Sequence, residues 1–463
     1  MSVQAHRFDP AILRDYDIRG VVGRNLRIAD AVALGMAFGS TLVEKGGRNV
    51  VVGRDGRLSS PDLAEALVDG LTATGVDVWR IGCGPTPMLH FAVAELGADA
   101  GIMVTASHNP ANHNGFKMTL LGRPFFGPDI RALGRRAEAG NFISGDGSVA
   151  KYDVADAYVA RLLKGFRPGR DLHAVWDCGS GATGPAVKAL VRGLPGRHTV
   201  LFDAVDGAFP HHHPDPTVPE NLAHLISAMQ ETGADVGFAF DGDGDRLGVV
   251  DDQGEILWGD RILALLAADV LERLPGATIL GDVKASRILF DEIRRLGGNP
   301  VMTRSGHSVI RTRLAQLGAP LAGEMSGHIF FADGYYGFDD GLYAALRLLE
   351  GLGLRKESLA TWHGALPRLW NTPELRIPCD DEAKFAVVDA LAEALAAEGV
   401  GFNDIDGVRV DEEFGWWLVR ASNTQAELVI RCEATTLEGL GEAKARVTAR
   451  LQAAGIAAPE ALR

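Results

Sequence analysis

The chain has little of what would tie it to a membrane, a nucleic acid or an oxidising compartment. Its 463 residues include only four cysteines, Cys83, Cys178, Cys379 and Cys432. They are scattered without metal-ligand spacing, so a reducing cytoplasm is the expected compartment. No uninterrupted apolar run is long enough to cross a bilayer. The opening Met1-Ser-Val-Gln-Ala-His-Arg-Phe8 lacks the apolar segment of a secretion signal. Basic residues are outnumbered, 46 Lys and Arg against 60 Asp and Glu, which leaves a net charge of -14. That balance argues against nucleic acid or an anionic membrane as a partner. A small phosphorylated ligand remains compatible, provided cations gather locally. What the chain does have is apolar residues (46%) and 57 glycines, enough for several sizeable cores joined by tight turns.

One supersecondary theme recurs three times. An apolar strand, a Gly/Asp-rich turn, an amphipathic helix and a second strand run from Asn49-Val-Val-Val-Gly-Arg-Asp-Gly56 through a helix over 61–74 to Val76-Asp-Val-Trp-Arg-Ile81. The theme returns from His173-Ala-Val-Trp-Asp177 through 185–192 to Thr199-Val-Leu-Phe202. It returns again from Ala277-Thr-Ile-Leu-Gly-Asp282 through 286–296 to Pro300-Val-Met-Thr303. Such units build sheets covered by helices on both faces. Three related α/β domains are therefore expected, over 1–152, 153–255 and 256–367. After Pro367 the texture changes. An Ala-rich helix over 383–398, strands at 408–412, 415–420 and 427–433, and a closing helix over 437–453 predict a small α+β domain over 368–463.

Four stretches carry chemistry. Gly101-Ile-Met-Val-Thr-Ala-Ser-His-Asn-Pro110 reads as a buried strand broken by Pro110, presenting the Ser107 hydroxyl at a strand end with His108 beside it. Lys117 follows in Asn114-Gly-Phe-Lys117. Alone, the Ser-His pair is more simply a turn. Asp241-Gly-Asp-Gly-Asp-Arg246 lies between two predicted strands. Its alternate carboxylates, Asp241, Asp243 and Asp245, point the same way and repel one another unless a hard divalent cation, Mg²⁺, joins them. An EF-hand is excluded, because Arg246 stands where that loop needs Gly and the flanks are strands. Glu324, Ser326 and His328 alternate in Gly323-Glu-Met-Ser-Gly-His328, so all three can face one cleft and meet sugar hydroxyls. Arg420-Ala-Ser-Asn-Thr424, with Arg431 on the next strand, is rich in phosphate donors: Arg420, Ser422, Asn423, Thr424 and Arg431. The tract His211-His-His-Pro-Asp-Pro216 looks like a metal site, but no fourth ligand stands near it. A proline-stiffened loop is the better reading.

These stretches, in this order and over essentially the whole chain, resemble the α-D-phosphohexomutases, the bacterial phosphomannomutase/phosphoglucomutase group. The resemblance identifies Ser107 as a phosphoserine, the Asp241–Asp245 run as a Mg²⁺ loop to which Ser107 also contributes, and 323–328 as a sugar loop selecting hexose 3- and 4-hydroxyls. It makes the Arg420 stretch a phosphate clamp. It places Arg19, Arg246, Lys284 and His307 in the same cleft, and implies a fourth domain folded like the TATA-binding protein. One departure is Gln425-Ala426, where the family usually carries proline. The implied reaction moves phosphate between the 1- and 6-positions of glucose and mannose phosphates through a hexose 1,6-bisphosphate. Lys117 and His328 are the acid-base candidates, and His108 a loop-orienting group. A monomer is expected, and a dimer is compatible. Phosphoglucosamine mutase and a non-catalytic sugar-phosphate sensor are the alternatives. Met325 and Asn423 speak against the first, and the intact Ser107, Lys117 and aspartates against the second.

Overall fold

Three consecutive valines, stiff at χ1 and apolar on both sides, make Asn49–Arg54 a strand buried on both faces. The computed structural model, which describes residues 5–380, 383–423 and 425–462, carries this strand in the middle of a seven-stranded sheet. Pro61 sits in the first turn of the following helix, Ser60–Thr72, where a missing N–H costs nothing. Parallel pairing with Asp77–Cys83 completes the unit. The same arrangement recurs in a five-stranded sheet, where His173–Asp177 runs parallel to Arg197–Leu201. A four-stranded sheet repeats it again, with Thr278–Asp282 parallel to Asn299–Thr303. The predicted 199–202 strand is displaced toward the N-terminus. Phe202 leaves it in a left-handed conformation, φ 52°, and Arg197 and His198 take the places at its start.

The repeat extends further than the sequence pattern indicates. In each sheet a third strand lies parallel on the other side of the first: Ala100–Val104, Val236–Phe240 and Leu321–Gly323. Each then doubles back antiparallel as His113–Leu120, Leu247–Asp251 and Ile329–Phe331. The sheets are therefore mixed rather than purely parallel. The three turns of chain at these reversals hold Ser107, the Asp241–Asp245 run and the Glu324–His328 run. Three chemically different loops thus occupy one equivalent position in three related domains.

The three units are fused through one continuous core. It includes Val51 and Met103 from the first, Trp176 and Phe238 from the second, and the helix Gly341–Gly353, buried over all but one of its residues, from the third. A buried leucine of that helix contributes roughly 1.5–3 kcal/mol by leaving water, so the relative placement of the loops is strongly determined. The C-terminal domain has its own core. Helices Ala383–Ala397 and Leu437–Ala453 cover one face of an antiparallel sheet through Trp417, Val419 and Ile430. The closing helix starts where Thr436 accepts the Gly439 N–H at 3.0 Å, and its limits are those predicted. The opposite sheet face presents Trp416 and Leu418 to Val283 of the third domain. The architecture is three α/β/α domains plus a C-terminal α+β domain.

Candidate active site

Ser107 is held where the sequence predicts it, just beyond a buried strand, but its hydroxyl does not face open solvent. The residue is fully buried, and Oγ donates to Asp241 Oδ2 at 2.5 Å. The reason is the close approach of two loops: a Cβ on Gly242 would stand 2.5 Å from the Ser107 carbonyl oxygen. Ser107 takes φ 51°, a left-handed conformation uncommon for a residue with a Cβ. Arg57 supports it. This guanidinium, itself fully buried, donates to the carbonyls of Ser107 (2.7 Å), Asn109 (2.6 Å), Pro110 (2.7 Å) and His113 (3.0 Å), and to Asp55 at 3.1 Å. Arg19 reaches the same loop, donating to Asn109 Oδ1 at 2.7 Å and to the Ala106 carbonyl at 3.3 Å.

Opposite lie the aspartates. The side chains of Asp241, Asp243 and Asp245 are buried with one oxygen each within 4.8 Å of the others. Lys117, on the strand leaving the serine loop, turns to them. Its Nζ donates to Asp243 at 2.7 Å and to Asp245. Thr86 donates to Asp243 at 2.5 Å, while Asp243 Oδ1 has no hydrogen-bond partner among the described residues. Three convergent carboxylates with an orphaned buried oxygen, next to a serine hydroxyl, form an all-oxygen donor set that fits Mg²⁺. Burial and the neighbouring carboxylates push Asp241 well up from the usual range. Burial also works against charge on Asp243, but Lys117 and Thr86 overcome it and hold that carboxyl low.

The third loop joins this group from below. Arg246 and His328 form a single antiparallel bridge between the loop that follows Phe240 and the loop that follows Gly323. His328 Nε2 lies 3.2 Å from Asp245, and its Nδ1 lies 2.9 Å from Glu324 and 3.2 Å from Ser326. Glu324, Ser326 and His328 are thus joined, by a turn in which the Gly327 N–H donates to the Glu324 carbonyl at 3.0 Å rather than by the alternation of an extended segment. Burial disfavours the imidazolium, but Asp245 and Glu324 outweigh that and raise His328 to about 10. Glu324 is correspondingly lowered to about 2 despite its burial. Burial, with Lys117 and His328 nearby, drops His307 to about 3, and burial with Arg246 and Arg19 drops His108 well below the ordinary imidazole range. At neutral pH His328 is therefore cationic, like Lys117 beside it, while His307 and His108 are neutral imidazoles. His108 Nδ1 stands 3.2 Å from Ser107 Oγ, consistent with an orienting contact.

The remaining predicted residues line the seam between the third and fourth domains. Lys284 pairs with Glu374 at 3.0 Å, and Arg420 donates to Asp406 at 3.0 Å. Asn423 donates to the Tyr16 hydroxyl at 2.8 Å, and Tyr16 donates to the Ser305 carbonyl at 2.7 Å. Ser422 Oγ accepts the Gln425 N–H at 3.2 Å. Thr424 lies outside the described residues. Gln425, next to the Ala426 that stands where proline is usual, is tied by Arg376 to its side chain (2.7 Å) and by Lys384 to its carbonyl (2.9 Å), so hydrogen bonds replace ring stiffness. Arg431 is not gathered with these donors. It shares a sheet face with Arg420, but Arg420 pairs with Val429, which puts Arg431 two residues, about 7 Å, farther from the hairpin end. There it donates to the Lys284 carbonyl and approaches Asp260 at 3.4 Å, joining the two domains.

The comparisons with known proteins agree along the chain. Family models for the phosphoglucomutase/phosphomannomutase α/β/α domains I, II and III match residues 11–143, 156–254 and 258–369, and the model for the C-terminal domain matches 374–450. The chain belongs to the phosphoglucomutase/phosphomannomutase family. A phosphomannomutase/phosphoglucomutase of Pseudomonas putida is 46% identical over 92% of each chain. A phosphoglucomutase of Neisseria gonorrhoeae is 43% identical over 92% of this chain and 93% of its own. A crystal structure of a family protein from Burkholderia thailandensis superposes with a TM-score of 0.92 at 44% identity, covering 98% of this chain and 99% of that one.

Within the family framework, several side chains at the site escape a motif reading. Tyr16 and Asp339 are single residues without a pattern. Asp339 is buried against Asp245 and His328, and burial with the Asp245 charge raises it to about 6. Arg57 was within reach, since Gly53-Arg-Asp-Gly-Arg57 is a charged turn closing a buried strand.

Proposed function

We propose that the chain catalyses reversible phosphoryl transfer between the 1- and 6-positions of aldohexose phosphates, glucose and mannose alike, through a phosphorylated Ser107 and a hexose 1,6-bisphosphate. The observation that carries this reading is the junction of three loops. The Ser107 hydroxyl touches the aspartate cluster, and Asp245 touches the His328–Glu324–Ser326 group. A nucleophile, a cation site and a polyol-binding edge meet in one cleft.

Asp241, Asp243, Asp245 and the oxygen on Ser107 are the residues to hold Mg²⁺, which supplies charge neutralisation at the transferring group. Arg19 and Lys117 add positive charge beside that group. His108 orients the Ser107 oxygen. His328, held cationic, is suited to donate a hydrogen bond or proton to a sugar oxygen, with Arg246 behind it. Glu324 and Ser326 offer an acceptor and a donor to the 3- and 4-hydroxyls, which glucose and mannose share. The distal phosphate, at C1 in one half-reaction and C6 in the other, falls to Arg420, Ser422, Asn423 and Thr424, with Lys284 and His307 at the cleft wall. Arg431 acts from behind, fixing the backbone at Lys284 rather than gripping phosphate.

The domain limits proposed are 1–152, 153–255, 256–367 and 368–463. The gaps between the family matches support the first two cuts, while the third falls two residues inside a match that ends at 369. We also place the protein in the cytoplasm as a monomer that acts on a small phosphosugar, without nucleic acid or membrane. No helix among the described residues is long and apolar enough to cross a membrane, and all four cysteines are unpaired.

The test is a coupled assay with glucose 1-phosphate and mannose 1-phosphate, with peptide mapping of the phosphate. Turnover of both sugars, phosphate on Ser107 and an inert Ser107→Ala variant are expected. A preference between the epimers above roughly a thousandfold overturns the dual-sugar reading, because only a dedicated contact to C2 discriminates so strongly.

A further inference from the structure

The histidine tract has no part in the cation site, yet it reaches the nucleophile's loop from a different domain. His213 Nε2 contacts the carbonyl oxygen of His108, the residue after Ser107. A carbonyl only accepts, so Nε2 carries its proton and the imidazole is the donor. The tract is fixed on both sides of this contact. His212 Nε2 lies 3.0 Å from the fully buried Asp177, and its Nδ1 lies 3.0 Å from the His213 carbonyl. The Pro214 ring packs against Gly179 and Gly242, so the tract rests on the metal loop itself. Upstream, the Phe209 ring faces the Arg57 guanidinium at 5.3 Å.

Arg57 and His213 therefore grip one loop from two directions. Arg57, from the serine's own domain, takes the carbonyls of Ser107, Asn109, Pro110 and His113. His108 is the carbonyl left between them, and His213 of the second domain takes it. Together they leave the carbonyls of residues 107–110 all engaged, which sustains the left-handed Ser107. Because one jaw stands on the domain that also carries Asp241, the serine loop is held in register with the carboxylates.

We propose that His213 is a positioning residue for phosphoryl transfer, holding the serine loop against the metal loop through the His108 carbonyl. The proposal rests on the mutase reading for its kinetic arm only. Full-length His213→Leu, His213→Gln and His211→Leu are compared with wild type. The readouts are turnover of glucose 1-phosphate with Mg²⁺ present, and hydrogen exchange of peptides covering 105–113. His213→Leu is expected to lower kcat at least tenfold with KM within threefold, and to speed exchange in 105–113 at least fivefold while other peptides exchange as in wild type. His213→Gln, which retains an N–H donor, recovers most of kcat, and the exposed His211→Leu matches wild type. Wild-type kcat and loop exchange in His213→Leu overturn the proposal. So does an activity loss accompanied by faster exchange throughout the chain and not recovered by His213→Gln, the signature of a merely structural role. If wild type itself does not turn over hexose phosphates, the mutase reading falls, and loop exchange in the variants still decides whether His213 holds the loop.

Discussion

At the scale of single residues, the site depends on charges that cannot be removed one at a time without consequence. Asp243 is buried, holds Lys117 at 2.7 Å and keeps one oxygen without a hydrogen-bond partner among the described residues. Asp243→Asn preserves its shape but removes a charge from the cation site. We expect kcat to fall about a hundredfold or more with KM for glucose 1-phosphate changed only a few-fold, measured at saturating Mg²⁺. An unchanged kcat refutes the metal assignment of Asp243. Arg57 is the structural counterpart. Arg57→Met leaves Asp55 without its buried partner and four carbonyls without their donor, a loss of about 3–5 kcal/mol by analogy with other broken buried pairs. A drop in thermal midpoint on the order of 5 °C checks it by calorimetry. A shift of a degree or less contradicts the clamp.

At the scale of elements, the sequence was most informative where local and long-range forces agree. The closing helix is legible to the residue because Thr436 caps it and its apolar stripe meets the sheet. The 197–201 strand is less so, because Arg197 and His198 look like turn residues and only pairing with His173–Asp177 makes them strand. The equivalence of the three site loops is not legible at all. Their sequences differ, and the likeness lies in where each chain reverses. Arg431 likewise looks like a clamp residue until the register of its hairpin sets it deeper in the domain seam. Glu374, just before the strand Leu375–Pro378 of the fourth domain, carries a testable charge. Burial opposes charge on Glu374, but Lys284 and Arg376 outweigh it and hold its carboxyl at about 2, against 4.5 unperturbed. A lowered carboxyl contributes stability that is present above pH 4.5 and is lost as pH falls through 4.5 toward 2, about 3 kcal/mol in full. The gap in thermal midpoint between wild type and Glu374→Gln should therefore be widest near neutrality and close progressively below pH 4.5. A gap independent of pH across that window rules the pairing out as its source.

At the scale of the whole molecule, the four motifs predicted the chemistry, but the contacts that assemble them come from residues without motifs. Tyr16 is the clearest, since its hydroxyl links the first domain to Ser305 of the third and Asn423 of the fourth. Tyr16→Phe removes that link and leaves the ring. We expect turnover with saturating glucose 1,6-bisphosphate to stay within a few-fold of wild type, while the bisphosphate needed for half-maximal rate rises severalfold. Progress curves with and without added bisphosphate measure this. A wild-type requirement in Tyr16→Phe shows that the seam does not retain the intermediate. The reasoning is one of commitment. A bisphosphate that leaves before turning over strands the enzyme with a bare serine, withdrawn from the cycle until another bisphosphate rephosphorylates it. A single phenolic hydroxyl across three domains would then set how many cycles one priming event sustains, and so how far the enzyme can work through a surge of monophosphate on its own store of phosphate.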